Sequence, residues 1–336
     1  MMKQWQNWSI ETMIEYTKRN IKTWARLGSC GTFGIAMLEI AKDNKEVVAL
    51  TADLLYYSGL ERFSHTYPER FYNIGIAEQN MVGIAAGMAK EGMVPFATTY
   101  ATFASTRAAD QVRVNMGYMQ LGIKLIGLTA GLSVGILGAT HMSFEDLAIM
   151  RSIPNITILS PADCTETVKM TQLAMKHDGP VYLRLTGVMN HPIVYQEDYQ
   201  LEIGKAIKLK DGKDIAIIAT GSMVYEAIKV AKILEEQGLE ASVFDVHTIK
   251  PLDIEMIKKL YNQKLIVTVE EHSIIGGLGS AVSEVLATAK DSPPQLTIGV
   301  EQGYPHAGEY HYLLDRCGLV AEKIVKKIIK KYEEVK

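Results

Sequence analysis

The amino-acid sequence predicts two consecutive α/β domains, each built on a mostly parallel sheet flanked by helices. Three observations carry that expectation. Short apolar runs of strand length alternate with stretches of helical spacing along most of the chain, the pattern of parallel α/β sheets. Runs such as Val47 to Asp53 are apolar almost throughout and end in turn chemistry, as expected of buried parallel strands. At 336 residues the chain is long enough for two cores, and its composition shifts in the polar, tyrosine-bearing stretch Asn190 to Gln200.

Taken in order, Ile10, Met13, Ile14, Tyr16 and Ile21 predict a helix over Ser9 to Trp24, broken by Gly28 and Gly31, with a second helix over Thr32 to Ala41. Strands follow at Val47 to Asp53 and Phe71 to Ile76, then a helix beginning near Glu78. After Val94 to Phe103 comes a helix through Arg107 and Gln111. Leu125 to Thr129 and Thr157 to Leu159 read as strands, separated by the glycine-rich loop Gly131 to Thr140 and a helix after Ser143. A helix over Asp163 to Met175 and a strand over Val181 to Leu185 close the first unit. The second has strands at Asp214 to Thr220, Glu240 to Val246, Lys264 to Glu270 and Gln295 to Ile298. Its helices fall at Met223 to Gln237, Pro251 to Leu260, Leu278 to Ala289 and Val320 to Lys331. The expected boundaries are an N-terminal helical extension over 1–27, a first domain over 28–190, a linker over 191–200 and a second domain over 201–336.

Several function classes are excluded. A net charge of −3 leaves no broad basic field for nucleic acid. The first twenty residues lack the apolar core of a signal peptide, and Leu125 to Gly138 is too short and glycine-rich to cross a membrane. Cys30, Cys164 and Cys317 stand far apart without C-x-x-C spacing, which fits a cytoplasmic protein in a reducing compartment. No H-E-x-x-H or G-x-S-x-G motif is present. Gly276-Gly-Leu-Gly279 lacks the rest of either nucleotide-binding fingerprint and reads as a turn into a helix.

The stretch with chemical content is Asn73-Ile-Gly-Ile-Ala-Glu-Gln-Asn-Met-Val-Gly-Ile-Ala-Ala-Gly87. Glu78 sits among apolar and small residues, where a carboxyl is costly to bury unless it is paired or used. It reads equally well as the first-turn acid of a helix, favoured there by the helix dipole. What tips the balance is the set Tyr100-Ala-Thr-Phe103, Arg107-Ala-Ala-Asp-Gln-Val-Arg113, Gly138-Ala-Thr-His141, Glu145-Asp146, Ser160-Pro-Ala-Asp163 and Gly179-Pro180. With the Glu78 motif, these residues resemble the pyrimidine-binding domain of transketolases and deoxyxylulose-phosphate synthases. Glu270-Glu-His272 and Gly276-Gly-Leu-Gly279 resemble their C-terminal domain, so the resemblance covers roughly residues 28 to 330.

The resemblance implies thiamine diphosphate as cofactor and transfer of a two-carbon ketol unit between sugars. Glu78 would hydrogen-bond the aminopyrimidine and activate the cofactor by proton sharing. Phe103 and Tyr100 would wall the ring by offset stacking, with Arg107 among the cofactor-binding residues. His141 would contact the substrate. The family's Gly-Asp-Gly for diphosphate and Mg²⁺ is absent here, and only ~28 residues precede the pyrimidine domain. The chain therefore resembles the C-terminal subunit of a split transketolase. A partner subunit would bring the diphosphate-binding domain and hold most of the Mg²⁺, in a heterotetramer of two copies of each chain. The small-residue face around Gly83 and Gly87 is the expected subunit contact.

The sugar contacts depart from the pattern. Leu137 stands where an aspartate is expected, Thr129 replaces a histidine, Thr186 and Gly187 follow Leu185 in place of an arginine, and Cys30 replaces another. A site built to pair a hydroxyl rejects analogues lacking it, and the converse holds. The substrate expected is then a non-standard sugar: deoxy, branched, nucleotide-linked or another ketose. Two rivals remain open: a thiamine-dependent 2-oxo acid decarboxylating synthase or dehydrogenase β-type subunit, and a non-catalytic scaffold or regulatory paralogue.

Overall fold

The computed structural model describes residues 14–336. In chain order the strands of the first half are β1 Val47–Thr51, β2 Phe71–Asn73, β3 Val94–Tyr100, β4 Lys124–Leu128, β5 Thr157–Leu159 and β6 Val181–Arg184. The second half contributes β7 Ile207–Lys210, β8 Ile215–Ala219, β9 Ala241–Asp245, β10 Thr248–Lys250, β11 Leu265–Ser273 and β12 Gln295–Val300. They form a seven-stranded sheet ordered β10-β5-β6-β4-β3-β1-β2 and a five-stranded sheet ordered β12-β11-β8-β9-β7. All neighbouring pairs are parallel except β10–β5 and β7–β9. The strands β1, β4, β8 and β9 are buried along their whole length, which is why their sequences do not alternate.

The expected helix over Ser9 to Trp24 lies partly outside the described residues. Within them one helix runs Lys18–Asp43, capped by the Thr17 hydroxyl, which accepts from Asn20 N. Gly28 interrupts it with φ 75, and a Cβ there would lie 2.9 Å from Val188 O. Gly31, expected to break the chain as well, stays helical, so the second segment is longer than Thr32 to Ala41. Ile21 and Trp24 pack with Ile35, Leu38, Cys164 and Val168, so this segment lies against the first domain's helix Cys164–Lys176.

Two strands escape the sequence pattern. β7 is short with alternating lysines, and β10 leaves the second domain to pair antiparallel with β5 of the first sheet. The two halves consequently share one apolar core: Leu50, Leu125 and Tyr182 belong to the same cluster as Ile218, Phe244, Ile257 and Leu278. Among the described residues, no helix is long and apolar enough to cross a membrane.

Candidate active site

The site forms at the carboxyl ends of the first sheet, where open α/β sheets place their ligand crevice. Thr51 and Asn73 pair at the ends of β1 and β2. Beyond Asn73 a short loop leads into the helix Glu78–Lys90, with Glu78 as its first residue. Tyr100 ends β3, and Phe103–Arg107 follows as a π-helical turn. His141 lies in the loop after β4.

These elements bring all five expected residues together. Glu78 is 2 % exposed, and its Oε1 accepts from Arg107 Nη1 at 2.8 Å. Its Oε2 is buried with no hydrogen-bond partner among the described residues. The Arg107 guanidinium carbon lies 4.0 Å from the Phe103 ring centroid. Phe103 meets His141 edge-on at 5.3 Å and Tyr100 at 5.9 Å, and Tyr100 meets His141 at 5.7 Å. Thr140 Oγ1 lies 2.9 Å from His141 Nδ1. The small helix face is open: a Cβ on Gly83 or Gly87 would meet nothing within 4 Å.

The structure places three of the departures from the sugar-binding pattern. Ile136 and Leu137 are 77 % and 46 % exposed, on a turn whose Gly135 O accepts from Gly308 N. Thr129, just past the end of β4, takes φ 50, and its Oγ1 is buried without a partner among the described residues. Such φ is strained for a β-branched residue. Burial pushes the Cys30 thiol up to about 11, although Thr129 backbone and Ser29 contacts oppose it, so it is a neutral thiol at pH 7.

Behind the crevice lies a buried polar network that the sequence pattern did not assemble. Arg184, on β6, donates to both oxygens of Asp146 at 2.7 and 3.1 Å, and its Nη2 donates to Glu271 O at 2.9 Å. Glu271 Oε1 accepts from Leu132 N at 2.6 Å, while its Oε2 accepts from Tyr310 OH at 2.8 Å and from Ser222 Oγ. It thus ties the glycine-rich loop to the second domain. Its neighbour Glu270 accepts from Leu278 N and Gly279 N at the start of a helix, so the Gly276 to Gly279 run turns around a carboxylate. Burial pushes Glu270 up to about 7 against those two bonds. The one signal that could have exposed the network was a charged Arg184 inside an apolar strand. Tyr57, whose ring lies 6.4 Å from that of Tyr100, had no such signal.

Comparison with known proteins assigns the chain to a family. Residues 30–187 match the transketolase pyrimidine-binding domain and residues 204–324 the transketolase C-terminal domain. The chain is 40 % identical over 299 residues to a 6-deoxy-6-sulfo-D-fructose transketolase subunit of Clostridium sp., covering 88 % of this chain and 91 % of that one. It is 38 % identical to one of the subunits of an apulose-4-phosphate transketolase of Phocaeicola vulgatus, covering 88 % and 94 %. Among solved structures it resembles a split-gene transketolase described as an inactive beta4 tetramer, with TM-score 0.82 and 37 % identity over 92 % of this chain and 99 % of that one. A chain with both domains, matched nearly end to end by separate transketolase subunits, belongs to the transketolase family as its C-terminal section.

Proposed function

We propose that this chain is the pyrimidine-side subunit of a thiamine diphosphate transketolase that moves a two-carbon ketol unit between sugars. The observation that carries the reading is a buried carboxyl linked to an aromatic face: Glu78 Oε2 is buried and unpartnered among the described residues, and the Arg107 that bonds Glu78 Oε1 lies over Phe103. That combination fits an aminopyrimidine, which needs a carboxyl partner on its edge and an aromatic wall on its face. When bound, the cofactor supplies a carbon nucleophile and a sink for the electron pair released when the donor's carbon–carbon bond breaks.

The chain's own residues supply the rest. Glu78 holds or donates a proton at the pyrimidine edge, in a setting dry enough for that exchange to be controlled. Phe103 and Tyr100 fix the ring's tilt, and Arg107 borders it. His141, edge-on to both aromatics, is held to orient a sugar oxygen. Ile136 and Leu137 place apolar surface on the turn that leads towards it, which favours a sugar with a carbon lacking a hydroxyl, or otherwise non-standard. Relatives at nearly equal identity are named for a sulfo-sugar and for apulose 4-phosphate, so identity alone does not choose the substrate.

The diphosphate and Mg²⁺ fall to a partner chain, since the sequence has no Gly-Asp-Gly and its relatives are named as subunits. Two copies of each chain are the expected assembly, with Gly83 and Gly87 open for contact. The test is calorimetric titration of thiamine diphosphate and Mg²⁺ into the chain alone and into the chain mixed with a partner bearing Gly-Asp-Gly, followed by product analysis with ketose donors. Binding and ketol transfer only in the mixture are expected. Stoichiometric micromolar binding by the lone chain, or release of CO₂ from pyruvate in place of ketol transfer, would overturn it.

A further inference from the structure

His141 reaches the crevice on a loop of the first domain that the second domain holds. The connection from β4 to the helix Asp146–Ser152 carries Gly131, Gly135 and Gly138, with Gly131 and Gly138 at φ 70 and 75. A glycine-rich connection of this kind moves unless it is tied down. Its ties come from the other half of the chain. Near the start, Leu132 N donates to Glu271 Oε1 at 2.6 Å. At the middle, Gly135 O accepts from Gly308 N at 3.0 Å. Towards the end, Phe144 O accepts from Ser273 N at 3.0 Å, and Glu145 Oε1 accepts from Tyr304 OH at 2.5 Å. Glu271 and Ser273 belong to β11, while Tyr304 and Gly308 lie between β12 and the helix Tyr310–Arg316.

The hold passes to His141 along the loop's own turns. Gly138 N donates to the same Gly135 O at 3.0 Å, and His141 N donates to Gly138 O at 3.0 Å. Gly135 leaves no slack, because a Cβ there would collide with Leu313 Cδ1 and lie 2.6 Å from Gly308 O. The imidazole then stands edge-on to Tyr100 and Phe103. A group that orients a reacting oxygen has to be held to within about 0.5 Å of its productive place.

We propose that the second domain sets the position of His141, with Gly308 and Tyr304 as positioning residues that act through the loop. The inference rests on the reading of His141 as the residue that orients the substrate. Glu78, Tyr100 and Phe103 stand on or directly after elements of the first sheet. Loosening the loop therefore weakens the grip on substrate and leaves activation of the cofactor as it was.

The test compares native protein with Gly135→Ala, Tyr304→Phe, Glu145→Gln and His141→Ala. Backbone hydrogen exchange over residues 131–145 is read on the full chain. Donor KM, kcat and exchange at the cofactor's C2 are read on the assembly with a partner bearing Gly-Asp-Gly. The probe is L-erythrulose as ketol donor with D-glyceraldehyde as acceptor. Gly135→Ala is expected to speed backbone exchange at Gly138 and His141 and to raise donor KM roughly tenfold, with kcat within about twofold and C2 exchange at the native rate. Tyr304→Phe, a surface change that guards against a folding failure of Gly135→Ala, should shift both in the same direction by less. Glu145→Gln keeps an acceptor for Tyr304 and should behave as native. Unchanged loop exchange in both loop variants overturns the proposal. So does a loosened loop with native donor KM while His141→Ala raises it, and so does a loss of C2 exchange in step with KM, which marks general distortion. Native donor KM in His141→Ala, or no transfer by the native assembly, overturns the reading of the site on which the proposal rests.

Discussion

Arg184 and Asp146 form a fully buried two-point ion pair at 2.7 and 3.1 Å, placed where the first sheet meets the second domain. Burial works against ionising Asp146, but Arg184, with help from His272 and Tyr182, outweighs it and holds the carboxyl below its ordinary range. Because Arg184 also donates to Glu271 O, the pair fixes the relation between the glycine-rich loop and β11. Arg184→Met should leave Asp146 uncompensated and cost about 3–5 kcal/mol, the scale for breaking a buried pair from one side. Urea unfolding of the variant measures it. A loss below about 1 kcal/mol, as for an exposed pair, would show that the pair contributes little.

A second prediction concerns pH. Asp245 of β9 and Glu166 of the helix Cys164–Lys176 are both buried, and each carboxyl bears on the other. Tyr195 OH donates to Asp245 Oδ2 at 2.7 Å, Tyr199 OH donates to Glu166 Oε1 at 2.8 Å, and the two rings stack at 3.9 Å. Asp163 and His191 are the other titratable groups bearing on this pair. Burial pushes Asp245 up to about 7 and Glu166 well above its ordinary value. Folded pKa values raised above the unfolded ones mean stability that is fully present below about pH 4 and is lost as pH rises through about 7. Melting temperature should therefore fall across that window. Asp245→Asn, which removes the titrating carboxyl, should flatten the fall; an unchanged slope would exonerate the pair.

Glu78→Gln keeps the shape of the side chain and removes the exchangeable acid. Assembly with the partner and cofactor binding should persist. Turnover should drop about 10²–10⁴-fold, the range for a lost acid–base partner, and hydrogen–deuterium exchange at the cofactor's C2 should slow with it. Exchange at the native rate with turnover within a few-fold of native would remove Glu78 from the chemistry.

Phe103→Ala should weaken cofactor affinity of the assembled enzyme by about 1–3 kcal/mol, a lost aromatic stack with its burial. Folding should be largely spared, because Phe103 is only partly buried and packs at the edge of its cluster. A variant that unfolds while its folded fraction keeps native affinity would make Phe103 an ordinary core aromatic.

By itself the sequence determined the order and kind of most elements, because apolar runs without alternation require strands covered on both faces. It also named the five residues that gather in the crevice, since Glu78 in a small-residue run and the Tyr100, Phe103, Arg107 and His141 motifs are local features of one stretch or another. Only the tertiary structure decided how they meet. That Arg107 lies on Phe103 and Glu78 together depends on a π-helical turn and on a helix entered from a different strand, and no one-dimensional pattern encodes that crossing. β10 escaped for a similar reason: the short run Thr248–Lys250 gains strand structure only from the edge of β5 in the other domain. Arg184 is a charge inside an apolar strand, and its partner Asp146 lies 38 residues away in the sequence. Pairing energies of buried charges depend on distance in space, and that is fixed only when the two domains fold onto one core.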